Sequence, residues 1–421
     1  MRSLLVLILF LQSFPTVYSQ RIVSESMAKE QLKWKESFEK NSPQKILKNI
    51  RKESSDRKMD RESVAFLYQL QKAAYQGKFY YSCSYQWKET AKLTGKQVLI
   101  FFADLNTVAG TYQSDEAYKK NRTFLTKEIK RMYNNYGTVP VLSWQFENPY
   151  ITSTWTDEKY GKYGYRYRYS SKDYPQQHRY VIHEILNNMG DSCGFGCVSG
   201  KDRSIGCKNP REWFEKRFEE VVTFLQGLED KDGKPIPIVI RLLHEGEDDW
   251  QWWGTGSVSI SDYIGFFRYL EDNIRNRSQL HNLMFAWSPD RYWDNIGSGD
   301  NKDFMVRYPG DNYVDIIGYD DYSIGDPKNK GAKAETIRRI QLVTYEAEKR
   351  GKRCGLFETG CRLNPDHYYD ILFEILTHEG CRLGFVNTWS PSTVPATESG
   401  KERWRYFLNR PEVIIADMKK K

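Results

Sequence analysis

The stretch Ile238-Val-Ile-Arg-Leu-Leu-His-Glu-Gly-Glu-Asp-Asp-Trp-Gln-Trp-Trp-Gly254 opens as an apolar run and closes in acids and tryptophans. Such a run has the pattern of a strand buried on both faces of a parallel sheet. Its end sets carboxylates beside large flat rings, which suits chemistry on a sugar: C–H faces stack on aromatics while hydroxyls seek polar partners. A second carboxylate closes a similar run much later, in Cys354-Gly-Leu-Phe-Glu-Thr-Gly360. Breaking a glycosidic bond usually takes two carboxyl groups facing each other across it. Glu245 and Glu358 are the catalytic candidates.

Outward from these two runs the chain alternates strands and helices. Candidate strands are Lys78–Ser84, Val98–Asp104, Val139–Phe146, Pro237–Glu245, Leu283–Pro289, Val314–Tyr322, Gly355–Glu358 and Leu383–Trp389. Helical patterns between them include Thr123–Tyr136, Pro210–Glu229, Ile260–Asn276, Ala334–Arg350 and Asp366–His378. Eight strands with helical crossovers predict an α/β fold, the (β/α)8 or TIM barrel, whose active site lies at the C-terminal strand ends. Glu245 would end the fourth strand and Glu358 the seventh. Arg241 shares strand parity with Glu245, so it should point into the barrel and pair with a nearby carboxylate, Glu358 being one option, or serve a purely structural bridge. Residues 150–209 are too long for an ordinary loop and read as an insertion after strand 3, over the barrel mouth. Before the barrel, residues 20–76 read as a helical segment with Val64, Leu67, Leu70 and Ala74 on one face, packed on the base or side of the 77–421 catalytic domain.

Residues 1–19 combine one Arg, a short apolar run, a Pro and a small residue, the make-up of a secretory signal peptide. No other stretch is apolar enough to span a bilayer, so the expectation is a secreted, soluble monomer with no membrane partner. The formal charge of +8 is modest for 421 residues, and the basic cluster 45–61 is interleaved with acids, so no nucleic-acid partner is implied. Seven cysteines in an exported chain suggest disulfides with one thiol left over; connectivity is not readable. The histidines make no His-Glu-x-x-His motif and no other metal spacing is evident, so neither metal nor cofactor is expected. Aromatics reach 15%, with 29 Tyr and 12 Trp, more polar-edged rings than an ordinary core uses and in keeping with a glycan cleft.

Five motifs in order resemble those of glycoside hydrolase family 26, over a span from about Gly77 to near the C-terminus. They are Ser143-Trp-Gln-Phe-Glu-Asn-Pro149, then Arg241-Leu-Leu-His-Glu245 with Trp250-Gln-Trp-Trp-Gly254. Asp315-Ile-Ile-Gly-Tyr-Asp-Asp-Tyr322, Phe357-Glu-Thr-Gly360 and Asn387-Thr-Trp389 follow. The resemblance implies a retaining glycosidase, mainly of the β-1,4-mannanase kind, with β-1,3-xylanases and mixed-linkage glucanases as relatives. By it, Glu245 is the acid and then the base, and Glu358 the nucleophile. His244 would order acid and substrate, Asp320 and Tyr322 would form the sixth-strand pair beside the nucleophile, and Trp389 and Trp250 would carry sugar. Asp321 and Tyr319 compete for the sixth-strand roles. Trp252 and Trp253 read equally as platforms or packing, and the readings of Trp144 and Trp287 are similarly divided.

Two departures bear on the substrate. Gln145 stands where the family often has His; it can hydrogen-bond a hydroxyl but cannot titrate. After the acid, Gly246-Glu-Asp-Asp249 replaces a Gly/Asn-rich turn, and its acids could raise the pKa of Glu245 or bind a cation. The partner expected is a β-linked polysaccharide, with mannan first and a non-catalytic glycan-binding role the remaining alternative.

Overall fold

The computed structural model describes residues 25–110, 113–149, 181–188, 210–247, 251–255, 258–291, 304–389 and 392–418. The proposed signal segment, nearly all of the 150–209 insertion, Asp248, Asp249 and Trp250 lie outside them.

All eight expected strands form: β1 (Phe79–Cys83), β2 (Ile100–Asp104), β3 (Val139–Ser143), β4 (Ile238–Arg241), β5 (Leu283–Trp287), β6 (Ile316–Asp320), β7 (Arg353–Thr359) and β8 (Phe385–Thr388). Parallel ladders run unbroken from β2 through β8 and on to β1. The sheet curls round so that the Ser82 hydroxyl of β1 donates to the Ile100 carbonyl of β2 at 2.7 Å. Beyond β1, Val413–Ile414 adds a short parallel strand. The helices run a few residues beyond or short of their sequence patterns; the crossover before β3 spans Asp115–Tyr136 and the one before β5 spans Ile260–Ser278. Ser114 and Ser259 cap these two by accepting the backbone N–H three residues on, at 3.2 and 3.1 Å.

Period-two alternation sorts the strands into two cores. Outward residues such as Phe101, Ile240, Phe285, Ile317 and Leu356 pack under the helices. Inward residues such as Phe102, Val141, Val239, Met284, Ile316 and Phe385 fill the barrel. That inner core is closed at the strand starts by two helices of the N-terminal segment, α2 (Pro43–Glu53) and α3 (Arg61–Tyr75), after α1 (Glu25–Lys40). They contribute Ile46, Ile50, Val64, Leu67 and Leu70 to it. Asp315, just before β6, pins the turn between them by accepting from the Ser55 backbone N–H and hydroxyl, both at 2.7 Å.

The expected disulfides do not form among the described residues. Cys83, Cys354, Cys361 and Cys381 are buried free thiols, acting as small hydrophobes in the sheet–helix layer; Cys193, Cys197 and Cys207 lie outside. No helix of the described residues is long and apolar enough to cross a membrane.

Candidate active site

The sequence predicts that strand 4 carries Glu245, but β4 ends at Arg241, and parity does not place the acid. Residues 242–247 instead turn sharply, with Leu243 and Glu245 in the left-handed region at φ 46° and 53°. Non-glycine residues are strained there, and such strain persists only where surroundings over-determine it. The carbonyls of this loop are held one by one. Tyr263 donates to Leu243 at 2.7 Å, Trp253 Nε1 to His244 at 2.9 Å, and Arg307 to Gly246 at 2.9 Å. Trp252 Nε1 donates to the Phe146 carbonyl at 3.2 Å. Trp253 is therefore a bracket for the acid's loop and Trp252 a tie to Phe146, and both are buried. Trp144 and Trp287 are packing too, buried among Phe146, Phe214 and Phe218 and against Phe304 and Tyr308.

A break in alternation also aims Glu358. The β6–β7 register slips so that Asp320 faces Glu358 while Tyr319 faces Leu356. Phe357 thus stays in the inner core, and Glu358, the next residue, still reaches the barrel mouth. Bulges of this kind re-aim side chains beside active sites.

Arg241 is buried at the centre. Its guanidinium donates to Glu358 Oε1 at 2.5 Å and to the Asp320 carboxylate; Nε donates to Ser288 Oγ at 2.7 Å. Its cationic plane lies over the Phe357 ring, 5.1 Å from the centroid. The Tyr322 hydroxyl donates to Glu358 Oε2 at 2.8 Å. The sixth-strand ambiguity resolves on Asp320, because Asp321 turns outward to Thr336 and Arg339 and Tyr319 lies in the outer core.

Ligand oxygens of Glu245, Asp320 and Glu358 all lie within 4.8 Å of one another. Glu245 is buried, and its pKa is raised well above the usual range, by burial first and then by Asp320, Glu358 and Asp290. Glu247 faces away, accepting from the Asp290 backbone N–H at 2.9 Å, close to the Arg307 cation. His244 is buried beside Trp253, and burial and Arg241 hold its pKa well below the usual value, so it is neutral.

A recess bordered by Glu358 is also lined by His244, Gln145 and Trp389, the last 38% exposed. The same recess holds Asp104 and Tyr85, which the sequence reading did not single out. Asp104 ends β2 as Glu358 nearly ends β7, and strand-end position was the available signal.

Residues 209–353 match the family model described as glycosyl hydrolase family 26. A mannan endo-1,4-beta-mannosidase of Bifidobacterium adolescentis is 34% identical over 149 residues, which is 35% of this chain and 14% of that protein. A Bacillus subtilis protein of the same description is 32% identical over 209 residues, 47% of this chain and 52% of that protein. Endoglucanase H of Acetivibrio thermocellus is 31% identical over 114 residues, 26% of this chain and 12% of that protein. The matched segments thus span from about an eighth to about half of these relatives. Among solved structures, GH26C from a Muricauda species superposes with a TM-score of 0.69 at 22% identity, over 88% of this chain and 96% of that one. An endo-beta-1,4-mannanase double mutant of Cellulomonas fimi gives 0.67 at 16% identity, over 87% of this chain and 78% of that one. At these identities the superpositions speak for the barrel fold.

Proposed function

We propose that the chain, whose residues 209–353 match glycosyl hydrolase family 26, is a member of that family and a secreted, monomeric, retaining endo-β-1,4-mannanase. The carrying observation is the spacing of Glu245 and Glu358, whose carboxylate oxygens lie within 4.8 Å. Retaining enzymes keep their carboxyl groups about 5–5.5 Å apart, whereas inverting ones leave about 6.5–9.5 Å for a water.

In the first step a Glu358 oxygen attacks the anomeric carbon while Glu245 gives its proton to the departing glycosidic oxygen. The C–O bond to the leaving sugar breaks and an ester to Glu358 forms. Burial and three neighbouring carboxylates keep Glu245 protonated for this. Arg241 and Tyr322, donating to the two oxygens of Glu358, fix its orientation. Once esterified, Glu358 carries no charge, and the now ionised Glu245 takes a proton from water, whose oxygen displaces Glu358 from the sugar. Two inversions restore the original configuration.

Among the described residues Asp104, Glu245, Asp290, Asp320 and Glu358 gather around Arg241, a balance that favours a neutral glycan over an acidic one. Mannan is the leading substrate because the two mannosidase relatives carry that activity in their descriptions. A β-glucan is the second reading, supported by the endoglucanase relative. Export is inferred from the signal-like composition of residues 1–19.

The test is product release from mannan, galactomannan, β-1,3-xylan and mixed-linkage glucan by the purified protein and its Glu358→Gln variant. Release from mannan by the wild type, lost by about a thousandfold or more in the variant, is expected. A wild type that binds glycan without cleaving any polymer overturns the reading.

A further inference from the structure

The recess bordered by Glu358 contains groups for which the two-step chemistry has no use. Glu358 stands at its rim, and the nucleophile attacks the anomeric carbon of the glycone ring, so a sugar in the recess is on the glycone side. Tyr85, Asp104, Gln145 and Trp389 line the rest.

Tyr85 is unusual on two counts. Its φ of 58° is left-handed, an expensive conformation for an aromatic residue, and 55% of it is exposed. Flanking backbone bonds hold it there: Ser84 N–H donates to the Thr388 carbonyl at 2.9 Å and Gln86 N–H to the Ser84 carbonyl at 2.6 Å. The Tyr85 ring meets that of Trp389 edge to face, centroids 6.2 Å apart and planes at 87°. The two rings make a corner instead of a flat platform.

Asp104 faces the same space from β2. Its Oδ1 accepts the backbone N–H groups of Asn106 at 3.0 Å and Gln145 at 3.2 Å. Both donors go to one oxygen, and Oδ2 is left to the recess. Burial pushes this carboxyl up to about 7, so near neutral pH both its forms are present, and each can hydrogen-bond a hydroxyl.

We propose that Tyr85 and Asp104 bind the sugar on the glycone side: Tyr85 closes against the C–H surface of the ring that Trp389 supports, while Asp104 Oδ2 hydrogen-bonds a hydroxyl of that ring. Asp104 and Tyr85 are then substrate-binding residues that set glycone specificity. The inference rests on the glycosidase reading, so its test needs a readout that does not pass through turnover.

The first measurement is titration calorimetry of β-1,4-mannohexaose, or the hexamer of whichever panel polymer is cleaved, into Glu358→Gln, alone and combined with Asp104→Asn, Tyr85→Ala or Tyr85→Phe. Asn keeps the oxygen that caps Asn106 and Gln145 and changes only the group facing the sugar. The expected result is a Kd raised about tenfold to a hundredfold by Asp104→Asn and about tenfold by Tyr85→Ala. Tyr85→Phe retains most of the affinity, and the thermal midpoints stay together. With Glu358 intact, Asp104→Asn should raise KM while kcat stays within about threefold. Unchanged Kd for both Asp104→Asn and Tyr85→Ala overturns the subsite, as does a loss confined to kcat, which would make Asp104 a partner of Glu358 and not of the sugar. Full activity in Glu358→Gln alone would sink the catalytic reading instead, and that outcome is separate from either.

Discussion

Glu245 carries a proton that its surroundings refuse to release, and this fixes the sign of its pH dependence. The active form is protonated, so kcat/KM should fall as pH rises through its raised pKa. In Glu245→Gln that alkaline limb should vanish. The same variant should still form the glycosyl-enzyme from an aryl glycoside with a good leaving group, seen as a burst of phenol followed by slow turnover. A burst absent from the variant and present in wild type would count against the assignment. Arg241 makes the opposite case, a charge that cannot be removed alone. Arg241→Met leaves the buried Asp320 and the half-buried Glu358 without their cation, and breaking a buried pair such as Arg241–Asp320 this way costs about 3–5 kcal/mol. Urea unfolding should show that loss together with the loss of activity; unchanged stability would mean that water reaches the pair.

At the scale of strands and loops, two strand glycines leave no room for a side chain, Gly318 of β6 against β7 and Gly355 of β7 against the Phe385 ring of β8. A Cβ on Gly318 would sit 2.2 Å from the Gly355 carbonyl oxygen and 2.5 Å from the Phe357 ring. Gly318→Ala should therefore destabilise by about 1–3 kcal/mol and lower activity by shifting Glu358, read from urea midpoints and kcat on one preparation. These glycines were in plain view in the sequence, yet nothing there showed which ring would face them. Period-two alternation made the eight strands legible and gave Arg241 its direction. It failed where the backbone leaves the pleat: the left-handed turn at Leu243–Glu245 depends on Trp253 and on Tyr263 and Arg307, which arrive from later segments, and the slip before Glu358 depends on the pairing with β6. Asp104 was missed for a related reason. A lone acid at a strand end resembles any surface acid until the strands curl and bring it beside Glu358. For the four described cysteines the count pointed to bridges where the structure has buried thiols, because spacing cannot distinguish a bridge from small apolar filling.

For the molecule as a whole, burial of acids links stability to pH. Burial pushes Asp104, Glu271 and Glu348 up to about 7 and Glu247 up to about 8. Unfolded carboxyls titrate near about 4, so between about pH 4 and pH 8 the folded chain holds protons that the unfolded chain has released. Stability contributed by these groups is full below that window and is lost as pH rises through it. The urea midpoint should accordingly be higher at pH 5 than at pH 8.5, and Glu247→Gln should flatten the upper part of the slope. A midpoint that climbs steadily with pH would show that other ionisations dominate.

The barrel's perimeter is not equally fastened all the way round. Seven of its eight strand junctions carry backbone ladders, whereas among the described residues β1 and β2 are joined by the Ser82 hydroxyl and apolar contact. Tyr85 follows one of these strands and Asp104 ends the other. Parting along this line, directly beneath the recess, would give up no ladder hydrogen bond. Amide protons facing the gap should exchange with solvent sooner than those of the laddered junctions. An oligosaccharide bridging Tyr85 and Asp104 would act as a clasp there, slowing exchange several residues below the sugar it touches.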